Sequence, residues 1–205
     1  MLIPASYIGR MLTSWSDASR RNFLVVAERA GEVVGGTLFH YLAAANAGFS
    51  SFMATAPEVR GQGVARLLHE ERLRVLDDAA GGRVEGVFID VVAPDRLTEE
   101  EREAERRVGS DPLRRRQVFA RLGFRRVDVP YEQPTGGPDG GPVTNMDLLF
   151  CPREPAETVP LALVLDTMRA YWIGWLGEKR TERALAALAD RAGHRAELPL
   201  LPADA

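Results

Sequence analysis

Hydrophobic and polar residues alternate along the first part of the chain with the period of two that is typical of β-strands. This pattern predicts strands at residues 23–29, 33–42 and 47–55, with short turns between them. Because strands that are close in sequence and joined by short turns usually pair with each other, we expect an antiparallel meander.

The pattern changes at residues 63–80 to the period of an amphipathic helix. The apolar positions on one side of this helix form a core-facing stripe. They are Val64, Ala65, Leu68, Val75, Leu76 and Ala79. Arg72 interrupts the stripe, and we expect its aliphatic stem to lie across the apolar surface. Gly81 and Gly82 end the helix.

The second half of the chain mixes strands with helices. Further strands are predicted at residues 84–92, 124–131 and 143–150. The highly charged segment 95–110 is typical of a solvated helix or flap. A shorter helix begins at Asp111 and Pro112 and ends before Gly123. Glycine and proline make residues 133–142 an irregular loop.

Two more helices are predicted after Pro152, at residues 159–176 and 178–191. The element order indicates an α+β (mixed α/β) fold, in which one sheet joins the meander to a strand–helix crossover. We expect one domain at residues 1–155 and a helical extension at residues 156–205.

The composition is that of a globular protein. The chain has 205 residues, of which 45% are hydrophobic and 27% charged, and this excludes a disordered or fibrous protein. The single cysteine, Cys151, excludes a disulfide framework and suits a reducing compartment. The three histidines lie far apart in sequence, so we expect no metal site. The net charge of −3 predicts no nucleic-acid partner.

We expect neither a secretory signal nor a membrane span. The apolar segment 159–176 contains Asp166 and Arg169, each of which is unfavourable by roughly 2.5–3.5 kcal/mol at the centre of a bilayer. A buried amphipathic helix fits this segment better, and we expect a soluble, cytoplasmic protein with no membrane partner.

The loop before the first long helix has the features of an anion cradle. The N–H groups that open a helix lack intrahelical acceptors and carry a partial positive charge. Gly61 and Gly63 leave room for a phosphate to touch the backbone. No Gly-Lys-Ser/Thr follows, which excludes a nucleotide P-loop, and Arg66 stands where a dinucleotide fingerprint needs glycine. A pyrophosphate held without a metal remains, with a simple tight turn as the alternative.

Two segments resemble signatures of the GNAT superfamily of N-acyltransferases. Arg60-x-x-Gly63-x-Ala65 resembles the family's acyl-CoA-binding sequence, Gln/Arg-x-x-Gly-x-Gly/Ala. The run Phe119-Ala-Arg-Leu-Gly-Phe124 is similar to the sequence that joins the family's fourth helix to its sixth strand. The element order agrees, so the resemblance covers residues 5–150, with a shortened N-terminus.

The resemblance implies a GNAT-like, largely antiparallel sheet in which two neighbouring parallel strands splay apart, here residues 47–55 and 84–92. Acetyl-CoA would be the cosubstrate, with its pantetheine paired to the end of the third strand and its pyrophosphate on the helix amides. The implied CoA-binding residues are Met53, Ala54, Thr55, Arg60, Gly61, Gln62, Gly63, Val64, Ala65, Arg66 and Phe119. A valine at Gly63 is expected to abolish this binding and to leave the fold intact.

The expected reaction is the attack of an amine on the acyl thioester. Supplying the neutral form of a lysine-like amine at pH 7 costs about 4.6 kcal/mol, and protonating the leaving thiol is a smaller task of roughly 2 kcal/mol. Many family members use a tyrosine as the acid, but the matching residue here is Phe119, which cannot donate a proton.

Tyr131 is the predicted substitute acid, with packing at a strand end as the alternative. Asp90, in an apolar strand, is the predicted base, because burial could raise its pKa. A solvent-facing or capping aspartate is the alternative for Asp90. Glu132 and His40 are weaker candidates for the base, and a water relay would need none of these residues.

We therefore expect an N-acetyltransferase that acetylates a primary amine of a small molecule or a protein. A non-catalytic acyl-CoA-binding module with the same fold is the alternative. The apolar helix, with Trp172 and Trp175, is a candidate homodimer surface. An arginine cluster could contact the 3′-phosphate of CoA, a negatively charged acceptor or partner, or solvent. It comprises Arg114, Arg115, Arg116, Arg121, Arg125 and Arg126.

Overall fold

The computed structural model describes residues 5–14, 17–107, 109–136 and 141–204. The chain divides into two compact units, residues 1–87 and residues 88–205. The predicted domain boundary at residue 155 falls within the second unit.

The described residues of the first unit form a three-stranded meander and two α-helices. Its elements are α1 (Ala5–Ser14), β1 (Arg20–Arg29), β2 (Glu32–Leu42), β3 (Ala47–Thr55) and α2 (Val64–Ala80). β1 pairs with β2 and β2 pairs with β3, both antiparallel, which confirms the predicted meander. The turn from β1 to β2 places Ala30 at φ 51° and Gly31 at φ 83°. Positive φ at both turn residues matches the right-handed twist of the flanking strands.

Helix α2 packs its apolar stripe on this meander. Leu68 and Leu76 are buried, as predicted. A Cβ at Gly48 of β3 would lie 2.5 Å from Cδ1 of Leu76, so a larger residue at this position would force the Leu76 side chain to move. Arg72 differs from the prediction, because its whole side chain is buried. Its guanidinium donates a hydrogen bond of 2.6 Å to Oγ of Ser50.

The second unit contains five strands in the order β4-β6-β5-β8-β7, counted over the described residues. The strands are β4 (Gly86–Val92, which starts at the end of the first unit), β5 (Arg125–Val127), β6 (Met146–Pro152), β7 (Thr158–Pro160) and β8 (Glu197–Pro202). Its helices are α3 (Glu99–Arg107), α4 (Pro112–Arg121), α5 (Leu161–Leu176) and α6 (Glu178–Arg191). Helix α3 has no buried residue among those described, as expected of a solvated helix.

The strand predicted at residues 124–131 is much shorter in the structure and ends at Val127. Beyond it, Pro130 has no N–H to donate to a ladder. The carbonyl groups of Asp128 and Pro130 instead accept hydrogen bonds from Arg195 and Arg191. The N–H of Asp128 still donates to the carbonyl of Pro199 in β8, and beyond it the apolar pattern reflects the burial of Val129 and Tyr131.

The last part of the chain adds two strands that the sequence analysis did not predict. β8 pairs antiparallel with both β5 and β7, with Arg126 opposite Leu201 and Val159 opposite Leu198. Prolines at 199 and 202 mask the strand pattern of β8, because proline is unfavourable within a sheet. The α+β class and the largely antiparallel pairing are confirmed. No helix among the described residues is long and apolar enough to cross a membrane.

Candidate functional site

The predicted anion cradle lies at the start of α2. A 3₁₀ turn at Pro57–Val59 leads into Gly61 at φ 81° and Gly63 at φ 84°, both in the left-handed region that favours glycine. Gly63 is the N-cap of α2 and has no side chain to occupy the helix amides. A Cβ at Gly61 or Gly63 would have no heavy atom within 4 Å among the described residues, so the backbone here is open.

The amides of the cradle fall into two groups. The amide of Leu67 donates to the carbonyl of Gly63 at 3.0 Å, which closes the first turn of α2. The preceding helix amides, those of Val64, Ala65 and Arg66, have no backbone acceptor among the described residues. They are the amides expected to meet an anion.

Two predicted amide donors are already used within the turn. Arg60 donates its N–H to the carbonyl of Pro57, and Gln62 donates to that of Val59, each at 3.2 Å. The Gln62 side chain is also held, because it accepts from Arg29 at 2.8 Å and donates to the carbonyl of Glu58 at 2.8 Å. The exposed side chains of Arg60 and Arg66 belong to the same segment, and Arg66 forms an ion pair of 2.8 Å with Glu70.

The valine prediction at Gly63 is wrong in one respect. At φ 84° a β-branched side chain is strained, so Gly63→Val would destabilise the loop as well as obstruct the cradle. The other predicted cosubstrate contacts, Met53, Ala54 and Thr55, form the end of β3 and pair with β2. Ala54 is exposed.

A hydrogen-bonded chain in the first unit links three strands. Oγ of Ser51 lies 2.7 Å from Nε2 of His40, and Nδ1 of His40 lies 2.6 Å from Oδ1 of Asn22. Asn22 donates its NH₂ group to the carbonyl of Met11, so its oxygen faces His40 and receives the Nδ1 proton. Sequence analysis could not find this chain, because it depends on strand register.

His40 does not suit the role of a base. Burial, followed by the positive charge of Arg20, holds the pKa of His40 well below its usual value of 6.5. The imidazole therefore stays neutral, and its hydrogen bonds tie β1, β2 and β3 together.

The two predicted catalytic residues lie together in the second unit. Asp90 is in β4, and the hydroxyl group of Tyr131 lies 3.3 Å from its Oδ2. Tyr131 is almost fully buried, and its hydroxyl also contacts Oε1 of Gln133 and lies 3.9 Å from the sulfur of Met168. If the side-chain amide of Gln133 is rotated by half a turn, its NH₂ group donates to the hydroxyl oxygen of Tyr131. The hydroxyl of Tyr131 is then free to donate its own proton to Asp90.

The electrostatics of this pair suit proton transfer. Burial raises the pKa of Asp90 to about 6, and the hydrogen bond from Tyr131 opposes the shift. Burial and the nearby Asp90 raise the pKa of Tyr131 well above 10. At neutral pH the pair is thus a carboxylate of moderate basicity next to a neutral phenol. Part of the Asp90 surface still reaches solvent, although protein surrounds its carboxyl group.

The remaining sequence candidates have structural partners. Phe119 is buried in α4 and packs edge-on against Phe124, with ring centroids 5.3 Å apart. Glu132 forms an ion pair of 3.0 Å with Arg191. Within the described part of the chain, His, Cys, Asp and Glu side chains form no group suited to a metal ion.

The chain is similar to known proteins in sequence and in structure. Residues 4–97 match the model of the acetyltransferase (GNAT) family. A protein assigned to that family from Bacteroides thetaiotaomicron is 15% identical, with a TM-score of 0.54 and coverage of 86% of this chain and 84% of that chain. A GNAT family acetyltransferase from Elizabethkingia anophelis with acetyl-CoA bound is 16% identical, with a TM-score of 0.45. The match covers 73% of this chain and 83% of that chain. No curated protein matches the chain.

These findings agree with the motifs and with the fold. The matched region includes the cradle before α2 and Asp90 of β4. The likeness to the Bacteroides structure, at 15% identity, supports the fold alone. The resemblance drawn from the motifs is confirmed for residues 4–97, the part of the chain that matches the model of the acetyltransferase (GNAT) family.

Proposed function

We propose that this protein transfers an acetyl group from acetyl-CoA to a primary amine. The observation that carries the proposal is the open cradle, in which the amides of Val64, Ala65 and Arg66 face no backbone acceptor and two positive-φ glycines keep the approach clear. A helix N-terminus of this kind favours a phosphate group through its N–H donors and its dipole. The pyrophosphate of CoA supplies such an anion.

In the proposed reaction the amine nitrogen bonds to the thioester carbon, and the carbon–sulfur bond breaks as the tetrahedral intermediate collapses. Asp90 accepts the proton that the amine loses. A pKa of about 6 leaves Asp90 ionised at neutral pH without making it too weak a base.

The departing sulfur needs a proton, and Tyr131 is the proposed donor. Its raised pKa makes the free phenolate unfavourable. The proton held by Asp90 can return to Tyr131 across their 3.3 Å contact, so that neither residue ends the cycle with a changed charge. The products are the N-acetyl amine and free CoA thiol, and the atoms balance without another reactant.

A non-catalytic CoA-binding module is the second candidate, and one observation favours it. Phe119 is buried against Phe124 at the position where many family members have the tyrosine that protonates the leaving sulfur. A protein that holds acetyl-CoA without turnover needs no proton donor.

Thiol release separates the two functions. The protein is mixed with acetyl-CoA and a panel of small primary amines, free thiol is measured with a chromogenic disulfide, and acetyl-CoA binding is measured by calorimetry. Amine-dependent thiol release is expected. Binding without release for every amine would favour the binding module, and the absence of both would refute the cosubstrate assignment.

A further inference from the structure

A cleft of about 390 Å³ in the second unit contains several charged side chains. It is bordered by the chain that follows β5, by Arg96 after β4 and by Thr144 before β6. Its charged lining residues are Arg96, Arg126, Asp128 and Glu132. Which charge the cleft offers to a ligand depends on which of these groups are already paired.

Both acids and one of the arginines of the cleft have charged partners. Asp128 pairs with Arg195 at 3.0 Å, and Glu132 pairs with Arg191 at 3.0 Å. Arg96 pairs with Asp147, which also accepts from the buried Arg116. The carboxylates are therefore offset by arginines, and the positive charge around Asp147 exceeds its single negative charge.

Arg126 is the charged lining residue that takes part in none of these ion pairs. It forms no ion pair with a carboxylate of the described residues, and its Nε is buried with no hydrogen-bond partner among them. It lies on β5 between Leu149 of β6 and Leu201 of β8, so its backbone is held by strand pairing on both sides. A buried donor without an acceptor is unfavourable, and a ligand anion that accepts a hydrogen bond from it would remove that penalty.

The cleft also adjoins the proposed catalytic pair. Tyr131 lines it, and the hydroxyl of the same residue contacts Asp90. A guanidinium binds a carboxylate through two parallel hydrogen bonds. A neutral carboxamide ligand brings no negative charge to the guanidinium and is bound less strongly. A ligand seated at Arg126 would thus bring its remaining groups toward the residues proposed to move protons.

We infer that Arg126 binds the carboxylate of the acceptor, and that the acceptor is therefore an amine that carries a carboxylate, such as an amino acid. The inference rests on the proposed function and adds the substrate class to it.

The test compares Arg126→Gln with the wild type on matched acceptors. Each pair consists of an amine with a carboxylate and the same amine with a carboxamide. For each acceptor the ratio of wild-type to variant kcat/KM is taken, because this ratio cancels the difference in amine pKa. The ratio is expected to be about 10- to 150-fold for carboxylates and below about 3-fold for carboxamides. Arg183→Gln, at an exposed arginine of α6 outside the cleft, is the control and should behave as wild type.

A second measurement does not depend on turnover. N-acetylglycine, a carboxylate without a reactive amine, is titrated into the protein and followed by NMR, with inorganic phosphate as a competing anion. Arg126-dependent binding of N-acetylglycine is expected even if no amine releases thiol, which would refute the proposed function but keep the carboxylate site. Equal ratios for both acceptor classes, or phosphate binding at Arg126 with no binding of the carboxylate, would overturn the inference.

Discussion

Asp90 owes its proposed role to the position that β4 gives it. The same carboxyl group in water would have a pKa near 4 and would be too weak a base to take a proton from an amine efficiently. Burial raises that pKa to about 6, and the phenol of Tyr131 lies at hydrogen-bond distance. The residue thus combines a usable basicity with a partner that can return its proton.

The wild-type rate divided by the Asp90→Asn rate is expected to depend on pH. As the pH is raised from 5 toward 6, the ratio should increase about tenfold per pH unit, because only the ionised carboxylate acts as a base. Above pH 7 it should level off at roughly 10²- to 10⁴-fold. Steady-state thiol release between pH 5 and 8 measures this ratio, and a ratio that does not change with pH would contradict the role of Asp90.

The stability of the same variant excludes a trivial cause for lost activity. Because the folded-state pKa of Asp90 is raised above the ordinary value of 3.8, its contribution to stability is present at low pH and is lost as the pH rises through about 6. Asp90→Asn should therefore be more stable than wild type at pH 8, by on the order of 2–3 kcal/mol. Urea unfolding at pH 8 and pH 4 provides the comparison.

His40 gives the opposite pH dependence of stability. Its folded-state pKa lies well below 6.5, so the unfolded chain binds a proton near pH 6.5 that the folded chain does not. Stability is full above pH 6.5 and falls on acidification, by up to about 1.4 kcal/mol per pH unit. In urea unfolding from pH 7.5 to 5, His40→Gln should lose this part of the slope. His194→Asn, at an exposed histidine, should keep it.

At the scale of single elements, α2 provides a matched pair of glycines at its two ends. Gly63 at the N-terminus and Gly81 at the C-terminus both have positive φ, of 84° and 68°, and open space where a Cβ would lie. Only the first of them adjoins the unpartnered amides. A substitution tolerated in the left-handed region can thus separate cosubstrate binding from backbone strain.

Gly63→Asn is expected to weaken CoA binding at least about tenfold while the fold persists. Asparagine tolerates positive φ, and its side-chain oxygen can accept from the helix amides that the pyrophosphate needs. Calorimetry with CoA and thermal unfolding measure the two effects. Gly81→Asn should bind CoA as the wild type does. Equal CoA affinity in both variants would place the pyrophosphate elsewhere.

At the scale of the whole molecule, the C-terminal strand β8 is part of the second unit's sheet. It pairs with the three-residue strand β5 and buries Leu198 and Leu200. Burying a leucine side chain contributes about 1.5–3 kcal/mol, and a domain is stable by only about 5–15 kcal/mol. The two leucines of β8 therefore contribute a large share of the free energy of unfolding expected for a unit of this size.

A chain that ends at residue 195 is expected to lose the cooperative unfolding of the second unit. Without β8, β5 keeps a ladder on one side only and the two leucines are gone. Circular dichroism during heating and solubility measure the outcome. Glu197→Ala, an exposed change in the same strand, should unfold as the wild type does. A truncated chain with an unchanged transition would show that β8 is dispensable.

The sequence by itself determined those features that depend on local spacing. The alternation at residues 47–55 defined β3 with the bounds that the structure has, and the apolar stripe with its flanking glycines defined α2. The cradle could be predicted because Gly61, Gly63 and the first turn of α2 are neighbours in the chain. The family followed from motifs of the same local kind.

Only the tertiary structure decided which distant residues meet. Asp90 contacts Tyr131, Asn22 lies opposite His40, and β8 joins β5, although long stretches of chain separate the members of each pair. It also decided which donors are already used, as at Gln62, and which buried donor has no acceptor in the described part of the chain, as at Nε of Arg126. Strand register and competition among neighbours for each hydrogen bond set these outcomes, and neither is encoded in the spacing of a single segment.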